Sequence, residues 1–552
     1  AAVPALEGGA LKTCSSMAKK QCVSEQKIKH GKQQLSYRFS LDAQSRWQAT
    51  DAFNAISKEV KQSYYSVIST IYSKSPAQTY TRSAFLDRLD NVIEGTRSFT
   101  GALDDDAYYA LLDTHEVFQL SKAGDRLTEL VSVPQTKSAA SIDIYAAFVK
   151  QAKLRKAENR AKPTIAVITA SSRDYFESAD FYEGAFRSLG ADVTWLPLSG
   201  VWQMAQYINS LGGDGCGQLA QLRMKNQLYD RERIYPKRVL FEHQSCQQSE
   251  LIMDVLNRVD GVFFNGGDQS KTLAALLTPA GLPSEALNII TQRNQSGHII
   301  VGGTSAGTAV QAGGFANGMP VPMLTNGASA SAITRGVFAY DAPSVRCSES
   351  VDCIDGLKPD DVTYRAEGGL GLFNIGLLDT HFSERNRETR LIMSAFATQQ
   401  DFAFGVDETT ALLVSLAEEK ATFEVIGENG VFIADLSRHE YQQLNAGAKV
   451  SRQLGATAHY LPTGTKASLT QGEFNVKWPK STTRRKAKSD EDRSFWRQSI
   501  RLKCKEDLAV SWTENGVATY IQAAASTTFF KTKGRSARYC GYSHLPFVIS
   551  TQ

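Results

Sequence analysis

The stretch HIIVGGTSAGTAV, from His298 to Val310, decides how this chain is read. An apolar run of strand character passes directly into Gly303-Thr304-Ser305-Ala306-Gly307 and then into small residues suited to a helix start. This is the pattern of a strand–turn–helix that presents a nucleophile: Ser305 sits on a sharp turn, and glycines two residues to either side leave the backbone room to make it. The amide that follows, on Ala306 at the positive end of the helix, is placed to stabilise an oxyanion formed by attack. Taken alone, G-x-S-x-G also describes an ordinary glycine-rich turn, so the neighbouring blocks decide its meaning.

A serine nucleophile needs a base, and the base needs a carboxylate to orient it. Among the 8 histidines, His381 stands out in the stretch from Leu377 to Arg390, where an apolar strand end breaks into dense charge. The next apolar run, Phe402 to Val406, ends in Asp407-Glu408 before Thr409 to Val414 resumes a buried strand. An acid in such a place is costly unless it is paired. Glu408 is therefore assigned to orient His381, with Asp407 as the second choice. The chain order is then Ser, His, Glu, unlike the Ser, acid, His order of α/β-hydrolases. Under that rival order the base is His439, His459 or His544, and none of these stands in a comparable charged cluster.

Four blocks occur in order: Phe263-Phe264-Asn265-Gly266-Gly267-Asp268-Gln269, then Gly303 to Gly307, then Asp379-Thr380-His381-Phe382-Ser383-Glu384-Arg385 with Arg387 and Arg390, then Val406-Asp407-Glu408-Thr409-Thr410-Ala411. Together they resemble the cyanophycinases, serine peptidases related to aspartyl dipeptidases, over roughly residues 163 to 435. The resemblance implies an α/β fold with a mostly parallel sheet flanked by helices (class I glutamine amidotransferase-like, flavodoxin-like). It implies a nucleophile at Ser305, a general base at His381 and an orienting carboxylate at Glu408. It also implies a substrate, cyanophycin, whose aspartate backbone carries arginine on its β-carboxyls through isopeptide bonds and is cut to β-aspartyl-arginine dipeptides through an acyl-enzyme. A pocket for such a substrate should mix arginines with amide and acid acceptors. Arg385, Arg387 and Arg390 are candidates to clamp substrate carboxylates, while Asp268, Gln269, Asp379, Thr380 and Glu384 are candidates to accept from arginine side chains or to hold the clamps. The same segment also reads as a solvated helix face with pairs such as Glu384 with Arg387. The Gly266-Gly267-Asp268 loop is expected to supply a second oxyanion donor, from Gly267, beside that of Ala306. Two features depart from the family pattern: Thr380 stands where glutamine is usual, a shorter group with different hydrogen-bonding capacity, and the chain extends far beyond the resemblance at both ends.

No G-x-G-x-x-G follows a strand and no G-x-x-x-x-G-K-[ST] is present, so nucleotide binding has no support, and neither cofactor nor metal is expected. With 552 residues, 42% hydrophobic, the chain can build two or three domains. A net charge of +4 is mild and argues for neither nucleic acid nor a membrane surface as partner. No run of eighteen apolar residues, the minimum for a membrane-spanning helix, occurs. The 8 cysteines fall into neighbours, Cys14 with Cys22, Cys216 with Cys246, Cys347 with Cys353 and Cys504 with Cys540, and four local bridges are expected in a secreted protein, extracellular or periplasmic. The Ala1-Ala2-Val3 start is compatible with a mature terminus left by signal cleavage. Oligomeric state is not specified, and a homodimer is one arrangement open to it.

Residues 1–160 read as a helical N-terminal domain, with Phe85 to Leu89 and Tyr145 to Val149 spaced like amphipathic faces whose aromatics are core. Residues 161–450 read as the catalytic α/β domain. Strands are expected at Thr164 to Ala170, Asp192 to Leu198, Val239 to Phe241, Val262 to Phe264 and His298 to Val301, alternating with helices such as Ser178 to Leu189. Glu428-Asn429-Gly430 is a short-hairpin signal. Residues 451–552 read as a β-rich C-terminal extension entered through an exposed charged linker, Lys480 to Arg493. The function so read is secreted serine-type exopeptidase action on cyanophycin; the alternatives are a peptidase for short aspartyl or isoaspartyl peptides, and an inactive polymer-binding relative.

Overall fold

The computed structural model describes residues 3–7, 36–343, 356–480, 494–531 and 540–551, apart from short stretches at 75–77, 92–97, 119, 121, 123, 129–130, 137, 418–419, 447–448 and 515. The expected Cys14–Cys22 and Cys347–Cys353 pairs and nearly all of the charged linker lie outside the described residues. Cys216–Cys246 and Cys504–Cys540 are bridged as expected. No helix among the described residues is long and apolar enough to cross a membrane.

Two sheets form the centre. In the first, of nine strands, Val3–Glu7, Ile300–Gly303, Gly261–Phe264, Thr164–Ile168 and Asp192–Leu196 lie side by side and parallel. Helices such as Tyr175–Arg187 and Glu285–Gln295 supply the crossovers that parallel strands require. Gly261–Phe264 and Ile300–Gly303 are buried along their whole length, which is why they read as unbroken apolar runs. Beyond Val3–Glu7 the sheet turns antiparallel through Thr410–Ala417, Lys420–Gly427, Lys466–Thr470 and Glu473–Lys477. The second sheet runs Leu377–Thr380, Phe402–Val406, Gly430–Ala446, Lys449–Pro462, Cys540–Thr551, Val517–Gln522, Ala509–Glu514. Leu412, Val414 and Phe423 of the first sheet and Phe404, Val431 and Ile433 of the second share one buried cluster, so the sheets pack against each other.

Several elements differ from the sequence reading. Val239 to Phe241 is not a strand but lies within helix Pro236–Gln247, whose first turn tolerates Pro236; Leu240 is 56% exposed, so the three apolar residues are no buried strand. Glu428-Asn429-Gly430 does not close a hairpin: it carries the chain from Lys420–Gly427 in the first sheet to Gly430–Ala446 in the second. Residue 450 falls in strand Lys449–Pro462, which pairs with Gly430–Ala446. Helix Ala139–Lys153, ahead of residue 160, buries Ile144, Tyr145 and Phe148 in the same core as the parallel strands. Further upstream, Trp47, Tyr64, Phe85 and Leu111 pack in a cluster of their own.

The turn after Ile300–Gly303 holds Ser305 at φ 53°, ψ −114°, a conformation that non-glycine residues adopt only under constraint. The constraint is close backbone packing. A Cβ on Gly307 would stand 2.3 Å from the Phe264 carbonyl oxygen, and one on Gly303 would stand 2.0 Å from that of Gly307. Gly307→Ala is accordingly expected to lower stability by at least ~1–3 kcal/mol through overpacking, measured as the midpoint of denaturant unfolding.

Downstream, Ser494 caps helix Phe495–Leu502 and donates through its hydroxyl to Glu388 Oε1 at 2.6 Å. Burial pushes the Glu388 carboxyl up from its ordinary 4.5 to about 8. A raised pKa in the folded state contributes stability that is complete below the unfolded value and is lost as pH rises through about 8. Glu388→Gln removes this titration, so its thermal midpoint is expected to fall less than that of the native chain between about pH 5 and pH 9.

Candidate active site

Three strand ends converge on one point. Ser305 leaves Ile300–Gly303 in the first sheet, while His381 and Glu408 follow Leu377–Thr380 and Phe402–Val406, parallel neighbours in the second. Asp379 pairs with Gly405 and Thr380 with Val406, a register that brings His381 level with Asp407, one residue before Glu408. His381 Nε2 lies 2.8 Å from Ser305 Oγ, and His381 Nδ1 lies 2.8 Å from Glu408 Oε1. A carboxylate accepts only, so Nδ1 carries the proton and Nε2 is left to accept from the serine hydroxyl. His381, like Ser305, has positive φ, 49°.

A cavity of about 310 Å³ opens beside Ser305. Gly267, Gln269, Ser305, Ala306, Asp379, Thr380, His381, Arg385, Arg387 and Arg390 all line it, so the structure brings together most of the residues singled out in the sequence. Neither the Gly267 nor the Ala306 N–H donates to a protein carbonyl among the described residues, which leaves both available to an oxyanion. The Gly267 loop is held from behind: Asn265 Oδ1 accepts from Ser171 N at 3.1 Å, and Asp268 N donates to Ser171 O at 2.8 Å. Gly267 has φ 146°, and a Cβ there would come within 2.3 Å of the Ser171 carbonyl oxygen.

The charges of the cavity are unequally engaged. Asp379 is buried and accepts from Arg390 Nε at 2.7 Å and Nη2 at 2.6 Å, and from Arg387 Nη1 at 3.2 Å. Burial opposes its ionisation, but the Arg390 and Arg387 charges outweigh that and hold its carboxyl below the usual range. Arg387, desolvated and beside Arg390, is pushed down to about 9. Arg390 also donates to Gly327 O, and Arg387 Nη1 to Thr380 O at 2.6 Å. Arg385 is exposed on the cavity wall and makes no ion pair with any described residue.

Two residues expected to touch substrate lie elsewhere. Asp268 is exposed outside the cavity lining, where it caps helix Gln269–Leu276 by accepting from Ser270 N at 2.8 Å. Glu384 turns away from the cavity; its Oε2 accepts the Glu408 N–H at 3.0 Å and its Oε1 accepts from Arg497 at 3.0 Å. Gln269 does line the cavity, with its amide nitrogen donated to Leu324 O at 2.6 Å. Asp407, the second choice for the orienting acid, is fully buried and accepts from Ser383 N, Tyr460 Oη and Arg497 rather than from His381. His439 Nδ1 meets the Leu436 carbonyl, His459 Nδ1 meets Ser543 Oγ and accepts from the His544 N–H, and His544 Nδ1 meets Ser543 Oγ, so the partners shown for all three lie away from Ser305. Asp360, which the sequence reading passed over, stands on the cavity rim. Its backbone is fixed by Ala328 N donating to its carbonyl at 2.9 Å, and Asn326 Nδ2 holds the carbonyls on either side, Pro359 at 2.7 Å and Asp361 at 3.1 Å. The Asp360 carboxylate has no ion pair among the described residues. The doublet Asp360-Asp361 after Pro359 was the available signal. Among the described residues no group of three or more His, Cys, Asp or Glu is arranged to hold a metal ion.

No family model matches the chain. Curated relatives do: it is 29% identical over 195 residues to a cyanophycinase of Trichormus variabilis, covering 35% of this chain and 51% of that one. It is 30% identical over 194 residues to a cyanophycinase of Synechococcus elongatus, covering 35% and 47%. The chain thus spans about half the length of the curated relatives it matches. Among solved structures, a peptidase from an acI-B1 actinobacterium aligns at 17% identity and TM-score 0.29 over 57% of this chain and 91% of that one, a likeness too slight to bear on the fold. Over about a third of its length, then, the resemblance of this chain to the cyanophycinases is a resemblance in sequence to proteins of that name.

Proposed function

We propose that the chain is a serine-type peptidase that hydrolyses cyanophycin to β-aspartyl-arginine dipeptides. The observation that carries this reading is the pair of 2.8 Å contacts linking Ser305, His381 and Glu408 at the mouth of a charged cavity. His381 Nε2 takes the proton of Ser305 Oγ as the oxygen attacks the scissile carbonyl, and Glu408 holds the tautomer and stabilises the imidazolium. The Ala306 and Gly267 amides receive the tetrahedral oxyanion. Collapse breaks the backbone amide between successive aspartates, His381 returns its proton to the leaving amine, and water then releases the acyl group by the same steps.

Charge supports the substrate class. Asp379 is neutralised by Arg387 and Arg390, so the cavity presents Arg385 and Asp360 as its groups without an internal ion pair among the described residues. One cation and one anion suit a zwitterionic unit, Arg385 taking a carboxylate and Asp360 the guanidinium of the substrate's arginine. A cavity of about 310 Å³ is at the small end of ligand pockets and admits one such unit at a time. That size also favours the second reading, a peptidase for short isoaspartyl peptides. Residues 161–450 are read as the catalytic part, and two bridges at Cα separations of 5.7 Å and 5.6 Å are in keeping with a secreted, oxidised protein.

The test is incubation of the purified protein and its Ser305→Ala variant with insoluble cyanophycin, followed by mass spectrometry of soluble products. β-Aspartyl-arginine is expected from the native chain alone; equal release by Ser305→Ala sinks the mechanism, and labelling of Ser305 by a serine-directed reagent without any release moves the assignment to short isoaspartyl peptides. For Asp360→Asn, kcat/KM is expected to fall about 10-fold on arginine-bearing substrate and little on β-aspartyl-leucine; equal loss on both removes Asp360 from arginine recognition.

A further inference from the structure

The residues of the proposed chemistry lie between 267 and 408, yet the acid end of the triad is braced by a side chain from far downstream. Arg497, on helix Phe495–Leu502, donates through Nη1 to Asp407 Oδ2 at 2.8 Å and to Glu384 Oε1 at 3.0 Å, with its side chain 10% exposed. Asp407 directly precedes Glu408 and is enclosed, accepting also from Ser383 N at 2.9 Å and Tyr460 Oη at 2.7 Å. Glu384 Oε2 accepts the Glu408 N–H at 3.0 Å, while Asn429 Nδ2 reaches both Glu384 Oε1 at 3.2 Å and the Glu408 carbonyl at 3.0 Å. The peptide units on either side of Glu408 are thus held by the Glu384 carboxylate and the Asn429 amide, and Glu384 shares the Arg497 guanidinium with the carboxylate of Asp407, the residue before Glu408. Without a cation between them, two buried like charges disfavour this arrangement.

We propose that Arg497 is a positioning residue for the acid of the triad: through Asp407 and Glu384 it fixes the backbone of Glu408, and with it the carboxylate that orients His381. The inference rests on the triad reading given above. The same downstream segment grips the neighbouring stretch at two further points, Ser494 on Glu388 at 2.6 Å and Glu514, both of whose oxygens accept from Asn386 Nδ2 at 2.8 Å. Charge makes the contact measurable. Burial and, after it, the Asp407 charge push the Glu384 carboxyl up while Arg497 pulls it back, and the balance stands at about 7. The groups around it are Asp407 and Glu408 after strand Phe402–Val406, Tyr460 on Lys449–Pro462, Glu388 on its own downstream helix, and Arg497. A protonated Glu384 is a weaker acceptor for the Glu408 amide than the carboxylate. Removing Arg497 therefore carries that loss to higher pH.

The native chain, Arg497→Met, Arg497→Lys, Glu384→Gln and Ser305→Ala are compared on cyanophycin and on a short isoaspartyl peptide, with thermal unfolding alongside. Arg497→Met is expected to lower kcat about 10- to 100-fold, to change KM by less than about twofold, and to move the acidic limb of the kcat profile to higher pH. Arg497→Lys restores part of kcat and moves the limb back, since a point charge replaces a planar fork. A folded Arg497→Met with native kcat and limb overturns the proposal, and so does a fall in kcat with an unmoved limb, which is what a purely structural prop gives. If Arg497→Met does not fold, Glu384→Gln carries the readout: its limb moves to lower pH because the titrating group is gone, and an unmoved limb overturns the proposal. If Ser305→Ala keeps native turnover, or the native chain turns over neither substrate, the triad reading falls and this inference with it. Loss of turnover in Ser305→Ala beside an unchanged Arg497→Met overturns this inference alone.

Discussion

The hydrogen bond between Ser305 Oγ and His381 Nε2 joins two sheets, and the rest of the structure is arranged so that a 2.8 Å distance survives across that junction. Neither side chain can correct an error made by its strand, because both sit on backbone at positive φ with neighbours packed hard against the turn. The register is set instead by the shared core, in which Leu412, Val414 and Phe423 meet Phe404, Val431 and Ile433. Close-packed interiors transmit small displacements rather than absorbing them. The turn at Glu428-Asn429-Gly430, which carries the chain from one sheet to the other, lies beside Glu408, so the crossover point and the acid of the triad are stabilised by the same contacts.

Buried charge performs a second kind of positioning. Upstream, Arg231 is fully buried among Asp113, Glu116 and Asp174, and Arg173 pairs with Asp113 at 2.7 Å. Asp113 lies on helix Asp105–His115 and Glu116 just after it, while Arg173 and Asp174 directly follow Ser171 and Ser172, the residues tied to the Gly267 loop. Ion pairs so enclosed are poor sources of net stability but strict about geometry, because removing one partner strands the other in a low-dielectric interior. The two regions outside the resemblance thus end in the same way. One is anchored behind the Gly267 loop and the other behind Glu408.

What was legible in the sequence follows from how local each signal is. The Gly-x-Ser-x-Gly turn and the strands before it are dictated within a dozen residues, by apolar runs that only a buried parallel strand accommodates and by glycines that a Cβ would exclude. His381 and Glu408 were found because charge erupts at apolar strand ends, a contrast that needs no partner to be seen. Asp268 and Glu384 were misplaced for the opposite reason: a carboxylate next to a cavity-lining residue has the same composition whether it faces the cavity or holds a backbone amide, and Ser270 N and Glu408 N decided those cases. Val239 to Phe241 misled because three apolar residues carry no period, and Pro236 together with an exposed Leu240 favoured the helix. Arg497 was invisible because its contact with Glu384 spans more than a hundred residues of chain, while Asp360 left only the faint signal of an acidic doublet after Pro359.

The distribution of charge in the cavity is uneven, because most of its arginine donors are already engaged within the wall. Three arginines stand within it, but Asp379 takes the Nε and Nη2 of Arg390 and one contact from Arg387, and backbone carbonyls of Gly327 and Thr380 take further donors. Those two guanidiniums are therefore committed to shaping the wall, and burial has already lowered the tendency of Arg387 to hold its proton. The charged groups of the lining that have no ion pair among the described residues are Arg385 and Asp360, the latter with its backbone held through Asn326 and Ala328. On the proposed reading, an unmatched pair of opposite charges favours a substrate that carries both signs, because a ligand with one sign satisfies one group and leaves the other to be desolvated without compensation.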